Sequence, residues 1–366
     1  GFTITTLYAL ILYAQRQSPK RLAFLTLAFT AAILSKYSTF FLFAIVISLM
    51  LYIYKVRGER RFKHIFIMLC GSLLIIVLFY GLLSFRDRGL AGFSALTYFL
   101  GLGGTFGAVA STERFSYLLG ESYTGGKLYY FPALIATKTQ VLTLIGSMLG
   151  LFYLATKRLV LPKLELVIFF TPSTLFLALA MVSKFNIGLR HILPIYPFIL
   201  IIAAAGFVAL IHNIERVFHK SLALALVSLV LLIIIGGRVY SIATTYPHFL
   251  SYYNFIGGGT DNGWKVADDA NYDWGQDVGR LADFVRENKI NSLALDNYTG
   301  LYAARDYYNL PVKQFYPTQK DYKGYVALST SAIVFHEDKA DNYGWLINTH
   351  QPIAKAGKSI FIYKVE

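Results

Sequence analysis

One stretch of the sequence, residues 268–277, combines acidic and aromatic side chains at close spacing and reads DDANYDWGQD. Carboxylates accept hydrogen bonds from hydroxyl groups, and Trp and Tyr rings pack against the C–H groups of sugars. The stretch therefore has the composition of a carbohydrate site. The candidate sugar- or acceptor-binding residues are Asp269, Asp273, Trp274, Gln276 and Asp277. A loop that only docks a soluble part on a membrane explains the same composition, and the sequence leaves both interpretations open.

Clustered aspartates can also hold a cation. The spacing DDxxxDxxxD is not that of a calcium-binding loop, so we expect neither a metal ion nor another cofactor. Asp273 and Asp277 share a face only if this piece is helical. Asp277 could instead simply favour the N-terminus of a helix.

Basic residues lie where apolar runs end. Lys36 lies in LSKYS, and Lys184, Arg190 and His191 lie in SKFNIGLRH. Charged groups at a membrane boundary are costly unless they reach water or an anionic partner. Arg donates two parallel hydrogen bonds to phosphate oxygens, so these residues are candidates for holding the phosphate of a lipid-linked substrate. Contacts with ordinary lipid headgroups explain them equally well.

Glu121, in GESYTGGKLYYF, is an acidic residue close to the next apolar run. It could orient a hydroxyl acceptor, which makes it a further candidate for acceptor binding. A surface ion pair with Lys127 is the alternative interpretation.

The composition indicates an integral membrane protein. Of the 366 residues, 56% are hydrophobic and only 15% are charged, which no soluble domain of this size matches. The net charge of +14 belongs to the first part, because residues 238–366 hold 13 of the 34 Lys and Arg but 14 of the 20 Asp and Glu. Such charge in membrane loops indicates cytoplasmic loops and not nucleic-acid binding. The single cysteine, Cys70, excludes an intrachain disulfide.

Hydropathy predicts a polytopic α-helical membrane domain over 1–237, followed by a small extracytoplasmic α/β domain over 238–366. About eight apolar runs are long enough, or nearly so, to cross a membrane. They are 1–14, 22–34, 37–54, 64–83, 132–155, 164–182, 192–211 and 221–236. Alternating basic loops put the C-terminal domain on the outer side, together with a loop over 84–131. The glycines of this loop argue against one continuous helix, and we expect short amphipathic pieces along the membrane surface.

The soluble part shows alternating helix and strand patterns. The spacing of apolar residues predicts helices at 276–288 and 299–308. Strands are predicted at 292–295, 312–316, 325–329, 333–335 and 359–365.

Four segments together resemble bacterial lipid-carrier-dependent glycosyltransferases of the GT-C superfamily, which are related to protein O-mannosyltransferases and aminoarabinose transferases. These segments are SYLLGESYTGGKLYYFPALIATKTQ (116–140), GLRHILPIYPF (188–198), the stretch 246–277, and AKAGKSIFIYKV (354–365). The resemblance covers nearly the whole chain, and DWGQD is its most specific part.

This resemblance implies an inverting transfer of a sugar from a polyprenyl-phosphate donor to a lipid, glycan or protein acceptor. The transfer would take place on the outer face of the bacterial inner (plasma) membrane. By their matching motifs, Lys36, Arg190 and His191 would contact the donor phosphate. The family's catalytic acidic residue lies in a first outer loop that has no counterpart here, so we expect it upstream of Gly1, and we expect this chain alone to be inactive.

Two other classes of protein remain open. A transporter or flippase of lipid-linked sugars would need repeated halves or charges at mid-membrane, and the sequence has no visible repeat. A membrane-anchored extracytoplasmic ligand-binding protein would need only one or two membrane helices.

Overall fold

A computed structural model describes residues 1–59, 61–88, 96–111, 115–159, 162–297, 300–336 and 339–366. The chain divides into two compact units that are interleaved along the sequence. The first unit comprises Gly1–Thr112, Tyr153–Leu179 and Pro194–Ile202, and the second unit comprises Glu113–Phe152, Ala180–Leu193 and Ala203–Glu366. The second unit therefore combines segments from before residue 237 with the C-terminal part.

Apolar helices build the described part of the first unit. The first five in chain order are α1 (Phe2–Gln15), α2 (Pro19–Ser35), α3 (Phe41–Arg57), α4 (Phe62–Arg88) and α5 (Leu96–Ser111). Pro19 begins α2, where its missing N–H is not needed, and the Ser18 hydroxyl accepts a hydrogen bond from the Arg21 amide. The core contains the fully buried side chains of Leu10, Phe29 and Met50.

Five more apolar helices follow. They are α6 (Tyr130–Lys138), α7 (Val141–Ala155), α8 (Lys163–Val182), α9 (Tyr196–Val217) and α10 (Lys220–Thr245). Within the second unit, the backbones of α7 and α9 are in close contact at glycines. A Cβ atom added at Gly206 would overlap the Gly146 carbonyl oxygen and the Gly150 amide nitrogen. Small residues at such a crossing are typical of helix packing in membranes.

Several of these helices could cross a membrane, which is consistent with the predicted multi-pass protein. Four described segments are long and apolar enough, namely 62–86, 163–182, 189–217 and 220–245. The pair α6 and α7 makes a fifth if it is one span, but it is bent by 113°. The predicted count of eight is not confirmed. At 1.5 Å per residue, the 14 residues of α1 reach only about 21 Å, short of a hydrocarbon core of about 30 Å.

The expected outer loop holds regular structure. The segment 84–131 is not one continuous helix, as expected, but the glycines at 101, 103 and 104 lie inside α5 and do not interrupt it. A hairpin follows, in which β1 (Phe115–Leu118) pairs antiparallel with β2 (Glu121–Thr124). Its two-residue turn, Leu119–Gly120, has positive φ at both positions, which suits the twist of a tight hairpin.

The C-terminal part of the second unit is an α/β fold around a five-stranded sheet. Its helices are α11 (Gly259–Asn262), α12 (Val278–Glu287), α13 (Thr330–His336) and α14 (Gly344–Thr349). Its strands are β3 (Leu293–Asp296), β4 (Val312–Gln314), β5 (Gly324–Ser329), β6 (Ala354–Ala356) and β7 (Ile360–Val365), in the spatial order β4-β3-β5-β7-β6. The central strand pair β3–β5 is parallel, as is β3–β4, whereas β7 runs antiparallel to β5 and to β6.

Both faces of this sheet are covered. Leu281 and Val285 of α12 pack with Leu295 and Ile362 on one face. On the other face, side chains that alternate with these along the strands, such as Ala294 and Phe361, pack with Leu346 of α14. The predicted small α/β fold is therefore present.

Most predicted elements of this part are confirmed. The helix at 276–288 corresponds to α12, and four of the predicted strands correspond to β3, β4, β5 and β7. The strand predicted at 333–335 is wrong, because these residues lie in α13. Short apolar runs do not distinguish helix from strand. Here the hydroxyl of Ser329, at the end of β5, accepts a hydrogen bond from the Ala332 amide and so begins the helix.

Candidate functional site

A buried asparagine holds the acidic stretch in place within the second unit. The Asn271 side-chain amide donates to the Tyr130 hydroxyl and to the Asp268 carbonyl oxygen, each at 3.0 Å. Its side-chain oxygen accepts a hydrogen bond from the Leu189 amide at 2.9 Å. Gly188 packs here with φ +136°, and a Cβ atom on it would lie 3.3 Å from the Cβ of Ala270. One side chain thus fixes the start of α6, the loop before α9 and the acidic stretch together.

Asp277 is a structural residue at the start of α12. Its fully buried carboxylate accepts hydrogen bonds from the Lys358 amide, and from the amide and hydroxyl of Ser359, at 2.9–3.0 Å. The Arg280 guanidinium donates to its other oxygen at 2.6 Å. Gly357 has φ +62°, and a Cβ atom on it would overlap this carboxylate. Asp277 therefore joins α12 to the turn between β6 and β7.

Asp273, in the same acidic stretch as Asp277, is also buried. One of its oxygens accepts a hydrogen bond from the Gly275 amide at 3.0 Å. Burial raises the pKa of this carboxyl group, while the hydroxyls of Ser329 and Ser359 act in the opposite direction. These contacts explain Asp273 as part of the scaffold.

Trp274 and Gln276 lie on the exposed side of the stretch. The Arg190 guanidinium carbon lies 4.3 Å from the centre of the Trp274 ring, which is a cation–π contact. Gln276 accepts a hydrogen bond from the Trp274 amide and donates to the Tyr272 carbonyl, and thereby shapes the turn. The structure thus brings together Arg190 and Trp274, which the sequence had assigned to different roles.

The other predicted phosphate-binding residues are His191, Lys184 and Lys36, and their surroundings differ. The ring of His191 packs edge-on against Phe185, with 5.3 Å between ring centres. Lys184 is exposed. Lys36 lies in the first unit, exposed, between α2 and a short 3-10 helix, where its carbonyl oxygen accepts the Thr39 amide.

Glu121 pairs with Lys127, the alternative considered from the sequence. This ion pair holds the pKa of the Lys127 ammonium above its usual value. The buried Asn186 contacts the hairpin and the segment after it. Its side-chain oxygen accepts hydrogen bonds from the Tyr123 hydroxyl and the Lys127 amide. Its carbonyl oxygen accepts one from the Ser116 hydroxyl.

A cavity of about 390 Å³ lies within the second unit, between the hairpin, the acidic stretch and the edge of the sheet. This volume falls in the usual range for small-molecule sites, about 300–1,000 Å³. The parallel strands β3 and β5 end here, at the edge where α/β folds commonly bind ligands. The polar lining residues are Ser116, Asn186, Asp268, Asp269, Asp296, Asn297, Ser331 and His336, and the aromatic ones are Phe115, Tyr117, Tyr130 and Phe335.

Of the predicted site residues that the structure describes, Asp269 alone lines this cavity. It has φ +57°, and its side-chain oxygen accepts a hydrogen bond from the Ala270 amide at 2.6 Å. This left-handed conformation is tolerated by Asp better than by most residues.

Asp268 is the most unusual group of the cavity. Only 3% of this residue is exposed. Burial, and next the neighbouring Asp273, raise the pKa of its carboxyl group well above the usual 3.8. The hydroxyls of Thr330 and Ser331 favour the charged form without reaching normal hydrogen-bond geometry.

Asp296 forms a small network at the end of β3. Its carboxylate accepts a hydrogen bond from the Tyr343 hydroxyl at 2.6 Å and lies 3.7 Å from the His336 ring nitrogen Nε2. Burial raises the pKa of Asp296 and lowers that of His336. Burial therefore favours the neutral form of His336, which can both donate and accept hydrogen bonds.

The cavity presents unused hydrogen-bonding atoms beside aromatic rings. Among the described residues, both oxygens of the Asp268 carboxyl group and the side-chain nitrogen of Asn186 have no partner in normal geometry. Buried polar atoms without partners are rare in folded proteins, and a ligand is one explanation for them. Phe115 and Phe335 pack against each other at the rim, with 5.1 Å between ring centres. This combination suits a ligand with several hydroxyl groups and an apolar face.

No group of three or more His, Cys, Asp or Glu side chains is placed to hold a metal ion in the part of the chain that the structure describes.

Sequence reasoning found the acidic stretch but missed most of the cavity. Asn186, Asp296 and His336 come from three distant segments. Asp296 and His336 are brought together by the pairing of β3 with β5, and Asn186 is held by the hairpin and the Lys127 amide. One signal was available, since Asp296 follows a predicted strand and therefore lies at its carboxyl end.

Comparisons of this chain with protein-family models, curated proteins and solved structures gave no match.

Proposed function

We propose that this protein is an integral-membrane glycosyltransferase that moves a sugar from a polyprenyl-phosphate donor to a lipid, glycan or protein acceptor. The observation that supports this most is the cavity, in which carboxyl and amide groups lie beside aromatic rings. Sugars are bound by such combinations of polar groups and apolar ring faces. The apolar helices supply the membrane location that a polyprenyl donor requires.

In the proposed reaction, an acceptor hydroxyl attacks the anomeric carbon of the donor sugar. The new C–O bond forms on one side as the bond to the phosphate oxygen breaks on the other, which inverts the configuration. A carboxylate takes the hydroxyl proton, and cations stabilise the leaving phosphate. The candidates for the phosphate are Arg190, with His191 and Lys184 near it in sequence, and Lys36 in the first unit. The identity of the base is left open.

Arg190 is the best supported of these candidates, because it is exposed and its guanidinium packs against the Trp274 ring. Arg carries a planar fork that matches phosphate, and the guanidinium carbon of Arg190 lies 4.3 Å from the centre of the Trp274 ring. The proposed location is the plasma membrane, with the α/β part on its outer side and lipid, the lipid-linked donor and the acceptor as partners.

The test is transfer of a labelled sugar from polyprenyl-phosphate donors by membranes that contain the protein in its full natural length. We expect Arg190→Ala to lower kcat/KM for the donor by at least about tenfold, as the loss of one charge-assisted contact does. Arg286→Ala, which removes an exposed cation from α12, serves as the matched control and should leave transfer unchanged. Unchanged transfer by both variants would remove Arg190 from the donor site.

A membrane-anchored ligand-binding protein is the second candidate. It is favoured by one observation, namely that the whole cavity lies within one unit. The same assay separates the two candidates, since a binding protein transfers no label.

A further inference from the structure

The charges around the cavity restrict what it can bind. Its described lining includes three carboxyl groups and no Lys or Arg side chain. Inside the described lining, a phosphate or carboxylate on the ligand would therefore lie beside Asp269 and Asp296 without a Lys or Arg side chain to pair with. A cation is present at the rim, where the Lys339 ammonium lies 3.5 Å from the centre of the Phe335 ring. The cavity thus disfavours anionic ligands such as sugar phosphates and uronic acids.

The most buried of these carboxyl groups is suited to a neutral partner. Because burial and Asp273 hold the pKa of Asp268 well above 3.8, its protonated form is favoured and can donate as well as accept a hydrogen bond. The Asn186 side-chain nitrogen, also without a partner among the described residues, adds a donor. A sugar hydroxyl both donates and accepts, so it satisfies both kinds of atom.

The aromatic rim supplies the apolar side of the site. Phe335 is 46% exposed and packs on Phe115, while Tyr117 and Tyr130 continue the lining and are almost fully buried. Ring faces of this kind pack against the C–H face of a pyranose.

We propose that this cavity binds one hexopyranose ring of an uncharged glycan, with Asp268 and Asn186 on its hydroxyl groups and Phe115 and Phe335 against its C–H face. The inference rests on the proposed function in one respect only, that this glycan is the acceptor. The binding itself does not depend on transfer. It goes beyond that function by naming the acceptor class and the place where it binds.

The experiment measures binding to the whole chain in lipid nanodiscs, by calorimetry and saturation-transfer NMR. The probes are the methyl pyranosides of glucose, galactose, mannose and N-acetylglucosamine, together with glucose 6-phosphate, glucuronate and glucosamine. We expect at least one uncharged probe to bind, and to bind more than about tenfold tighter than both anionic probes. Binding of none of the uncharged probes, or tighter binding of glucosamine than of all of them, would overturn the proposal.

Variants then locate the binding site. Asp268→Asn keeps a neutral group that donates and accepts, so affinity should stay within about threefold. Asp268→Leu leaves the sugar hydroxyl unpaired and should weaken binding about tenfold, which is the effect of about 1.4 kcal/mol. A large loss of affinity in Asp268→Asn would show that a charged carboxylate is required. Unchanged affinity in Asp268→Leu would place the ligand elsewhere.

A second variant avoids the core in case Asp268→Leu does not fold. Phe335→Ala removes an exposed ring from the rim and should weaken binding about tenfold, whereas Phe335→Tyr should retain it. Tyr307→Ala, which removes an 80% exposed ring outside the described lining, is the control. Equal affinity for wild type and Phe335→Ala would contradict the proposal.

Binding without any transfer would refute the proposed enzyme and leave this inference standing, whereas transfer without binding would do the reverse.

Discussion

At the scale of single residues, the carboxyl groups of the acidic stretch differ in their surroundings and in their role. Asp277 is surrounded by donors and joins two elements, whereas Asp268 lines a cavity, and its buried carboxyl oxygens have no partner in normal geometry among the described residues. The sequence identified the stretch but could not rank its members. The hydrogen-bond partners of Asp277 come from Lys358 and Ser359, which are far away along the chain, and no local pattern reveals them.

The unusual environment of Asp268 has a consequence for stability. A carboxyl group whose pKa is raised in the folded state stabilises the fold fully below its unfolded pKa, near 3.8. This contribution is lost as the pH rises through the folded pKa. We therefore expect Asp268→Asn to gain stability relative to wild type as the pH rises from 4 to 8. The gain should be about 1.4 kcal/mol for each pH unit that lies between the unfolded and the folded pKa.

Thermal unfolding of both proteins in the same detergent at pH 4, 6 and 8 checks this. Asp283→Asn, at an exposed position on α12, is the matched control, and the expected gain of Asp268→Asn is measured relative to it. A difference for Asp268→Asn that stays constant, or that shrinks with rising pH, would contradict the raised pKa.

At the scale of elements, the sequence predicted best where one pattern was long and regular. Alternation in 359–365 and helical spacing in 276–288 correspond to β7 and α12. It failed where two patterns compete, as at 333–335, where the Ser329 cap decides for a helix. It also missed the bend between α6 and α7, because hydropathy over 132–155 is continuous and carries no information on direction.

The crossing of α7 and α9 gives a prediction of its own. Gly206→Ala would place a methyl group into the backbone of α7, so the helices must separate. Overpacking of this kind typically costs about 1–3 kcal/mol. We expect a clearly lower unfolding temperature in detergent.

Gly236→Ala is the matched control, since nothing lies within 4 Å of a Cβ at that position of α10. There the substitution should be neutral or stabilise by up to about 1 kcal/mol, as Ala favours a helix over Gly. If Gly206→Ala is no worse than Gly236→Ala, the close contact of α7 and α9 is refuted.

At the scale of the whole molecule, composition indicated a membrane protein, which the apolar helices are consistent with, and the helix and strand patterns of 238–366 predicted the mixed α/β part. The predicted count of eight spans is not confirmed, because the apolar helices α1, α2 and α3 have 14 to 17 residues and lie at or below the usual length of a spanning helix. Composition could not reveal that segments from the membrane half belong to the same unit as the C-terminal sheet. That grouping depends on long-range packing, and the cavity depends on the grouping.

The most direct test of this account is the kinetics of sugar transfer to a glycan acceptor by full-length wild type and Phe335→Ala in membranes. We predict that wild type transfers the label, and that Phe335→Ala raises the KM for the acceptor about tenfold while the KM for the polyprenyl-phosphate donor stays the same. Equal acceptor KM values for the two proteins would contradict an acceptor site in the cavity. Absence of transfer by wild type from every polyprenyl-phosphate sugar offered would contradict the enzyme itself.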